Sequence, residues 1–147
     1  MAPCVYLFED DDSLRELLVE VLRDDLGAEV GVCGSIDAVR DLCAVRRPDL
    51  IVADFWGSSH LRLADAERSE INALAALAPT VLVSARNWLL SADSEDLGVA
   101  GLVTKPLDIN RLINLLRETL GSVQVAAEQA TELPPRESMS VFILNWP

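Results

Sequence analysis

Between Pro48 and Phe55 the chain reads Asp-Leu-Ile-Val-Ala-Asp, four apolar residues in a row closed by an acid. A run so short and so uniformly apolar is the pattern of a strand buried on both faces, the habit of a parallel sheet. An unpaired carboxylate is costly to bury, so Asp54 belongs at the strand's carboxyl end. In open α/β sheets that end is where sites are built. Three other stretches point to the same edge. Glu9-Asp10 follows a first apolar run, Ser84 a fourth, and Lys105-Pro106 a fifth.

Strand and helix patterns alternate five times. Cys4–Phe8 is a first buried strand. Leu14, Leu17, Leu18, Val21 and Leu22 then form the stripe of an amphipathic helix. Ser13 with Glu16 has the form of a capping box, Asp11 and Asp12 suit cap or dipole positions, and Gly27 suits the helix's end. Residues 28–33 read as a shorter strand, and Ser35 as the cap of a helix running to about Val45. After a loop at 55–61, a helix from about Arg62 to Ala78 turns Ile71, Leu74 and Leu77 inward. Thr80–Val83 is a fourth strand, and a short helix falls within 87–97. Ala100–Val103 is a fifth strand, and Asp108 caps a last helix through Leu120. This alternation predicts a parallel sheet covered on both faces. Residues 1–120 read as one domain and 121–147 as a tail without a second domain. The tail contains Pro134-Pro135 and then Val141-Phe142-Ile143-Leu144, an apolar, β-prone run. That run suits addition to a sheet edge or cover of a partner's surface, with a linker remnant as the alternative.

Composition removes several function classes. The 147 residues are half apolar, enough for a proper core. Against 12 Lys and Arg stand 24 Asp and Glu, a net charge of −12. Phosphate backbones repel such a chain, which argues against nucleic-acid binding. Cys4, Cys33 and Cys43 have no metal-ligand spacing and read as reduced thiols of a cytosolic protein. With no basic leader and no apolar run near about eighteen residues, a soluble, cytoplasmic protein without membrane contact is expected.

The Glu9-Asp10 pair, Asp54, Ser84-Ala85 and Lys105-Pro106, each after its strand, resemble the receiver domain of two-component response regulators, in its stand-alone, chemotaxis-type form. The resemblance covers roughly residues 3–120, and the separations of 45 residues from Glu9 to Asp54 and 30 from Asp54 to Ser84 agree with it. It implies a flavodoxin-like, doubly wound five-stranded parallel sheet in the order 2-1-3-4-5, helices on both faces. It further implies a signalling module rather than an enzyme. Asp54 would accept a phosphoryl group from a histidine kinase or histidine phosphotransfer protein, and the product would signal through a downstream protein or a homodimer. On the same resemblance Asp10 contacts Mg²⁺ directly and Glu9 through water, with Asp54 and the Trp56 backbone carbonyl as further ligands. Ser84 donates to a phosphoryl oxygen, Lys105 neutralises charge, and a cis bond precedes Pro106. The residue types suit the chemistry. Crowded acids call for a cation, hard oxygens suit Mg²⁺, and phosphoryl transfer asks mainly for positioning and charge neutralisation.

Departures from the family's pattern mark what is particular to this chain. Phe55-Trp56-Gly57-Ser58-Ser59-His60 replaces the usual Met-Pro turn, and His60 reads as a surface residue. Glu9 stands for the more frequent Asp, lengthening one arm of the metal site. Leu102 falls where many receivers carry a switching Tyr or Phe. Trp56 and Arg86 flank the path of a hydrolytic water, and neither can act as a general base. Two function classes follow: a phosphorylatable receiver, favoured because every site position keeps a competent residue, and a docking module of the same fold without phosphoryl transfer. An aspartate-nucleophile phosphatase of the haloacid-dehalogenase kind wants a second acid where Trp56 stands.

Overall fold

Strands form where the buried apolar runs lie: β1 (Cys4–Phe8), β2 (Glu29–Cys33), β3 (Leu50–Asp54), β4 (Thr80–Ser84) and β5 (Gly101–Thr104). The computed structural model describes residues 2–55, 62–86, 92–129 and 141–144. Between the strands run α1 (Asp12–Glu20), which continues as a π-helical turn over Val21–Asp25, then α2 (Ile36–Val45), α3 (Asp65–Leu77) and the single turn α4 (Ser94–Leu97). Helix α5 (Ile109–Gln129) follows β5. Among the described residues, no helix is long and apolar enough to cross a membrane.

All five strands pair in parallel in the order 2-1-3-4-5, and a sixth, β6 (Val141–Leu144), adds to the outer side of β2. The pleat sends alternate residues to two separate cores. Val5, Leu7, Leu50, Val52, Val81 and Val83 meet Leu18 and Leu22 of the first helix and Leu112, Leu116 and Leu120 of α5. Cys4, Tyr6, Ile51, Ala53 and Leu82 meet Ala38 and Val39 of α2, Ile71 and Leu74 of α3, and Leu97 of α4. The central strands are apolar on both faces because both faces are covered.

At the sheet's amino edge the chain spends its own polar groups. Asp49 accepts from the Cys4 N–H through Oδ2 at 2.8 Å, and its own N–H donates to the Cys4 carbonyl at 2.8 Å. The Glu29 N–H donates to the Pro3 carbonyl, and Arg46 pairs with the Glu29 carboxylate at 3.2 Å. Tyr6 Oη donates to the Arg46 carbonyl at 2.6 Å, and burial pushes its phenol pKa upward.

Local signals hold in most places and fail in two. Ser35 caps α2 through the Ala38 N–H, Asp108 accepts from the Arg111 N–H, and Gly27 takes φ +64° beyond the first helix. The first helix, however, is capped by Asp11, which accepts from the Leu14 N–H at 2.8 Å, not by Ser13. Either residue has the side-chain oxygen, but Asp11 is the one with extended backbone, so the helix begins two residues earlier. The last helix runs nine residues past Leu120, to Gln129. Gly121 does not stop it, because only Gly27 and Gly98 take positive φ among the described residues, and the Ala-containing stretch beyond favours helix. The Val141–Leu144 run forms a sheet-edge strand, one of the two roles its pattern suits.

Asp11→Ala should lower the unfolding free energy by about 1 kcal/mol. Ser13→Ala should stay within about 0.5 kcal/mol of the parent. Urea denaturation midpoints of the two variants measure the difference.

Candidate functional site

The register of β1 against β3 pairs Phe8 with Ala53, so one step further Glu9 comes level with Asp54 at the carboxyl edge. Both side chains are buried, Glu9 at 1% and Asp54 at 3% exposure. Their counter-charge comes from the far side of the chain. Lys105 leaves the end of β5, its N–H donating to the Ser84 carbonyl at 3.0 Å, and the Lys105–Pro106 bond is cis. Its Nζ lies 2.8 Å from Glu9 Oε1 and 3.3 Å from Asp54 Oδ2.

One ammonium thus faces two buried carboxyls. Burial pushes Glu9 up from its ordinary 4.5 to about 7; Lys105 opposes the rise, while the hydrogen bond and negative charge of neighbouring Asp54 add to it. For Lys105 burial works against the charged form, but hydrogen bonding and charge from Glu9 and Asp54 outweigh it and raise its pKa. Glu9 Oε2 is buried, and among the described residues no N–H group donates to it. An orphaned hard oxygen beside a second carboxylate fits a hard divalent cation such as Mg²⁺.

Ser84 closes β4 on the same edge. It is 1% exposed, and its Oγ accepts from the Arg86 N–H at 3.1 Å. Arg86 is half-buried beyond it, and Leu102, paired with Leu82, packs half-buried against the α2/α3 core. Asp10, the next residue after Glu9, is exposed; among the described residues no three His, Cys, Asp or Glu side chains converge to hold a metal. Trp56, His60 and the rest of the loop expected at 55–61, apart from buried Phe55, lie outside the described residues.

One contributor went unnoticed in the sequence. Arg15, in the first turns of α1, places Nη1 at 3.4 Å from the Glu9 carbonyl and Nη2 at 2.7 Å from Asp12, with its side chain 15% exposed. It ties the β1–α1 connection across the residues that flank Asp10. The signal available was spacing, since Asp12 and Arg15 are three apart and share a helix face.

The fold recurs among solved structures. NtrX from Brucella abortus superposes with a TM-score of 0.69 at 23% identity, over 88% of this chain and 29% of that one. A CheY-like response regulator from Mesorhizobium loti gives 0.62 at 21% identity, covering 81% of this chain and 99% of that one. The signal receiver domain of an HD domain-containing protein from Pseudomonas fluorescens gives 0.66 at 17%, over 85% and 99%. This chain has the CheY-like receiver fold. No protein-family model matches it, and no curated protein matches it by sequence.

The raised Glu9 pKa ties stability to pH. Between about 4.5 and 7 the folded chain holds a proton that the unfolded chain releases, so stability falls as pH rises through that window. Thermal melts in EDTA should show the parent losing stability from pH 5 to pH 8 and Glu9→Gln losing distinctly less. Parallel curves would remove Glu9 as the titrating group.

Proposed function

We propose that this protein is a response-regulator receiver, with residues 1–120 as the phosphoryl-accepting unit. Asp54 takes a phosphoryl group from the phosphohistidine of a histidine kinase or histidine phosphotransfer protein in the cytoplasm, and the product signals by protein contact. The observation that carries this reading is the Lys105 ammonium on both Glu9 and Asp54, joining residues 96 positions apart at the carboxyl edge. Two buried acids and a half-buried amine are expensive to hold together, and such clusters concentrate at working sites.

In the transfer, an Asp54 oxygen attacks phosphorus while the phosphorus–nitrogen bond to the donor histidine breaks. The bonding pair returns to the imidazole, which leaves as a neutral or protonated ring. Lys105 is already charged and already within reach, so it can follow the charge from the carboxylate to the phosphoryl oxygens without new reorganisation. The Ser84 hydroxyl, at the end of the neighbouring strand, can turn from its local bond to donate to a phosphoryl oxygen. Bound Mg²⁺, held by Glu9, Asp54, Asp10 and the Trp56 carbonyl, would supply further positive charge to the transferring group. Leu102 offers bulk but no hydroxyl or ring, so a conformational signal through it travels by packing alone.

Intact mass after incubation with acetyl phosphate and Mg²⁺ tests the acceptor. One base-labile phosphoryl group should appear on the parent and be absent from Asp54→Asn. A folded parent that takes no label would leave a docking module of this fold instead. A second measurement concerns how long the phosphoryl group survives. An indole at Trp56 and a guanidinium at Arg86 can exclude an in-line water but cannot activate one. Isolated phosphoprotein in excess Mg²⁺ should decay severalfold faster in Trp56→Asn and Arg86→Ala than in the parent. Equal half-lives would leave both residues without a role.

A further inference from the structure

The two outer strands of the five-stranded order are built differently. β5 is a plain edge, with Leu102 and Val103 half-buried and Thr104 exposed. β2 is buried at all five positions, with Val30 and Cys33 at 0% and Val32 at 4% exposure. Its composition matches that burial. Edge strands are normally blunted with lysine, proline or a bulge. β2 reads Glu-Val-Gly-Val-Cys, with unbroken register on both sides, and its one charge sits at the first residue, bound to Arg46. β2 has the sequence of an interior strand.

What makes it interior is β6. Val30 to Cys33 pair one by one with Val141 to Leu144 in parallel. The occupant is uncharged, free of glycine and proline, and β-prone along its whole length. Its attachment is long. Helix α5 has 21 residues, about 31 Å, whereas a five-residue strand spans about 17 Å, so the helix overruns the sheet. Eleven residues, 130–140, then separate Gln129 from Val141 and can reach at most about 40 Å. A backbone ladder does not distinguish its own chain from another, so at high enough concentration the same segment of a second copy can take the place of β6.

We propose that the outer edge of β2 is a strand-docking site for an extended, uncharged, β-prone segment paired in parallel, with Val141–Leu144 as its resident occupant and the same segment of a second copy of this chain as its partner in trans. At low concentration the tether keeps the site filled in cis. At high concentration the strands exchange and two copies are joined through their β2 edges. This surface is separate from the carboxyl-edge site, and it stands whether or not Asp54 is phosphorylated.

The test uses the full chain. Alternate residues of a parallel strand donate to one neighbour, so one of Phe142→Pro and Ile143→Pro removes a ladder bond. Hydrogen exchange should show the β2 amides losing protection in that variant while the β3 amides keep theirs. A fluorescent peptide of residues 139–145 should bind that variant at least tenfold more tightly than the parent. The parent should dimerise at high concentration by light scattering, and the variant should not. Should proline also unprotect β3, Ile143→Lys, which keeps every backbone donor, carries the same expectations. Equal β2 protection in parent and variants, or a peptide that binds none of them, overturns the proposal.

Discussion

Two carboxyls and one ammonium share a space from which water is almost excluded, and the strand order follows from what they need. At low dielectric a pair of neighbouring carboxylates cannot both ionise cheaply. β1 and β3 are adjacent, which sets Glu9 level with Asp54; β5 lies two strands from β3, roughly 10 Å away. Only a long side chain leaving the end of β5 can cross that gap, and Lys105 does so, reaching Glu9 at 2.8 Å and Asp54 at 3.3 Å. The longer arm of Glu9, compared with an aspartate, also helps close it. The site is therefore poised by an internal cation that already contacts both carboxyls a divalent ion would use.

Much of this was readable from residues alone, for a physical reason. Buried parallel strands leave a nearly continuous apolar signature, and a charged residue ending such a run has only one place to go. Asp54, Glu9 and Lys105 could thus be assigned to one edge before any contact was known. Helix limits were less legible. Asp11 and Ser13 both carry a capping oxygen, and the choice between them rests on the backbone angle at Asp11, which composition does not reveal. The last helix was expected to end at Leu120 and continues through Gly121, whose φ is not positive.

The site's finer contacts were beyond sequence reading because they depend on which of several acids is turned inward. Glu9 and Asp10 are adjacent just past the end of β1, yet Glu9 is buried and Asp10 exposed. Arg15 gains its place at the Glu9 carbonyl from the rotation of α1, a tertiary variable. The sixth strand was legible as a propensity but not as a partner, since four apolar β-formers do not say which edge they join.

The Asp49 clasp at the amino edge acts as a gauge for the opposite one. Its two bonds to Cys4 lock the start of β1 to the start of β3. From Cys4 to Glu9 and from Asp49 to Asp54 is five positions alike, so a slip of one residue there would move Glu9 about 3.3 Å along the sheet and turn it to the other face. Lys105 would then find one oxygen where it now finds two. A residue a full strand-length from the carboxyl cluster thereby sets the spacing on which that cluster depends, as a fence sets the width of a cut made at the far end of a plank.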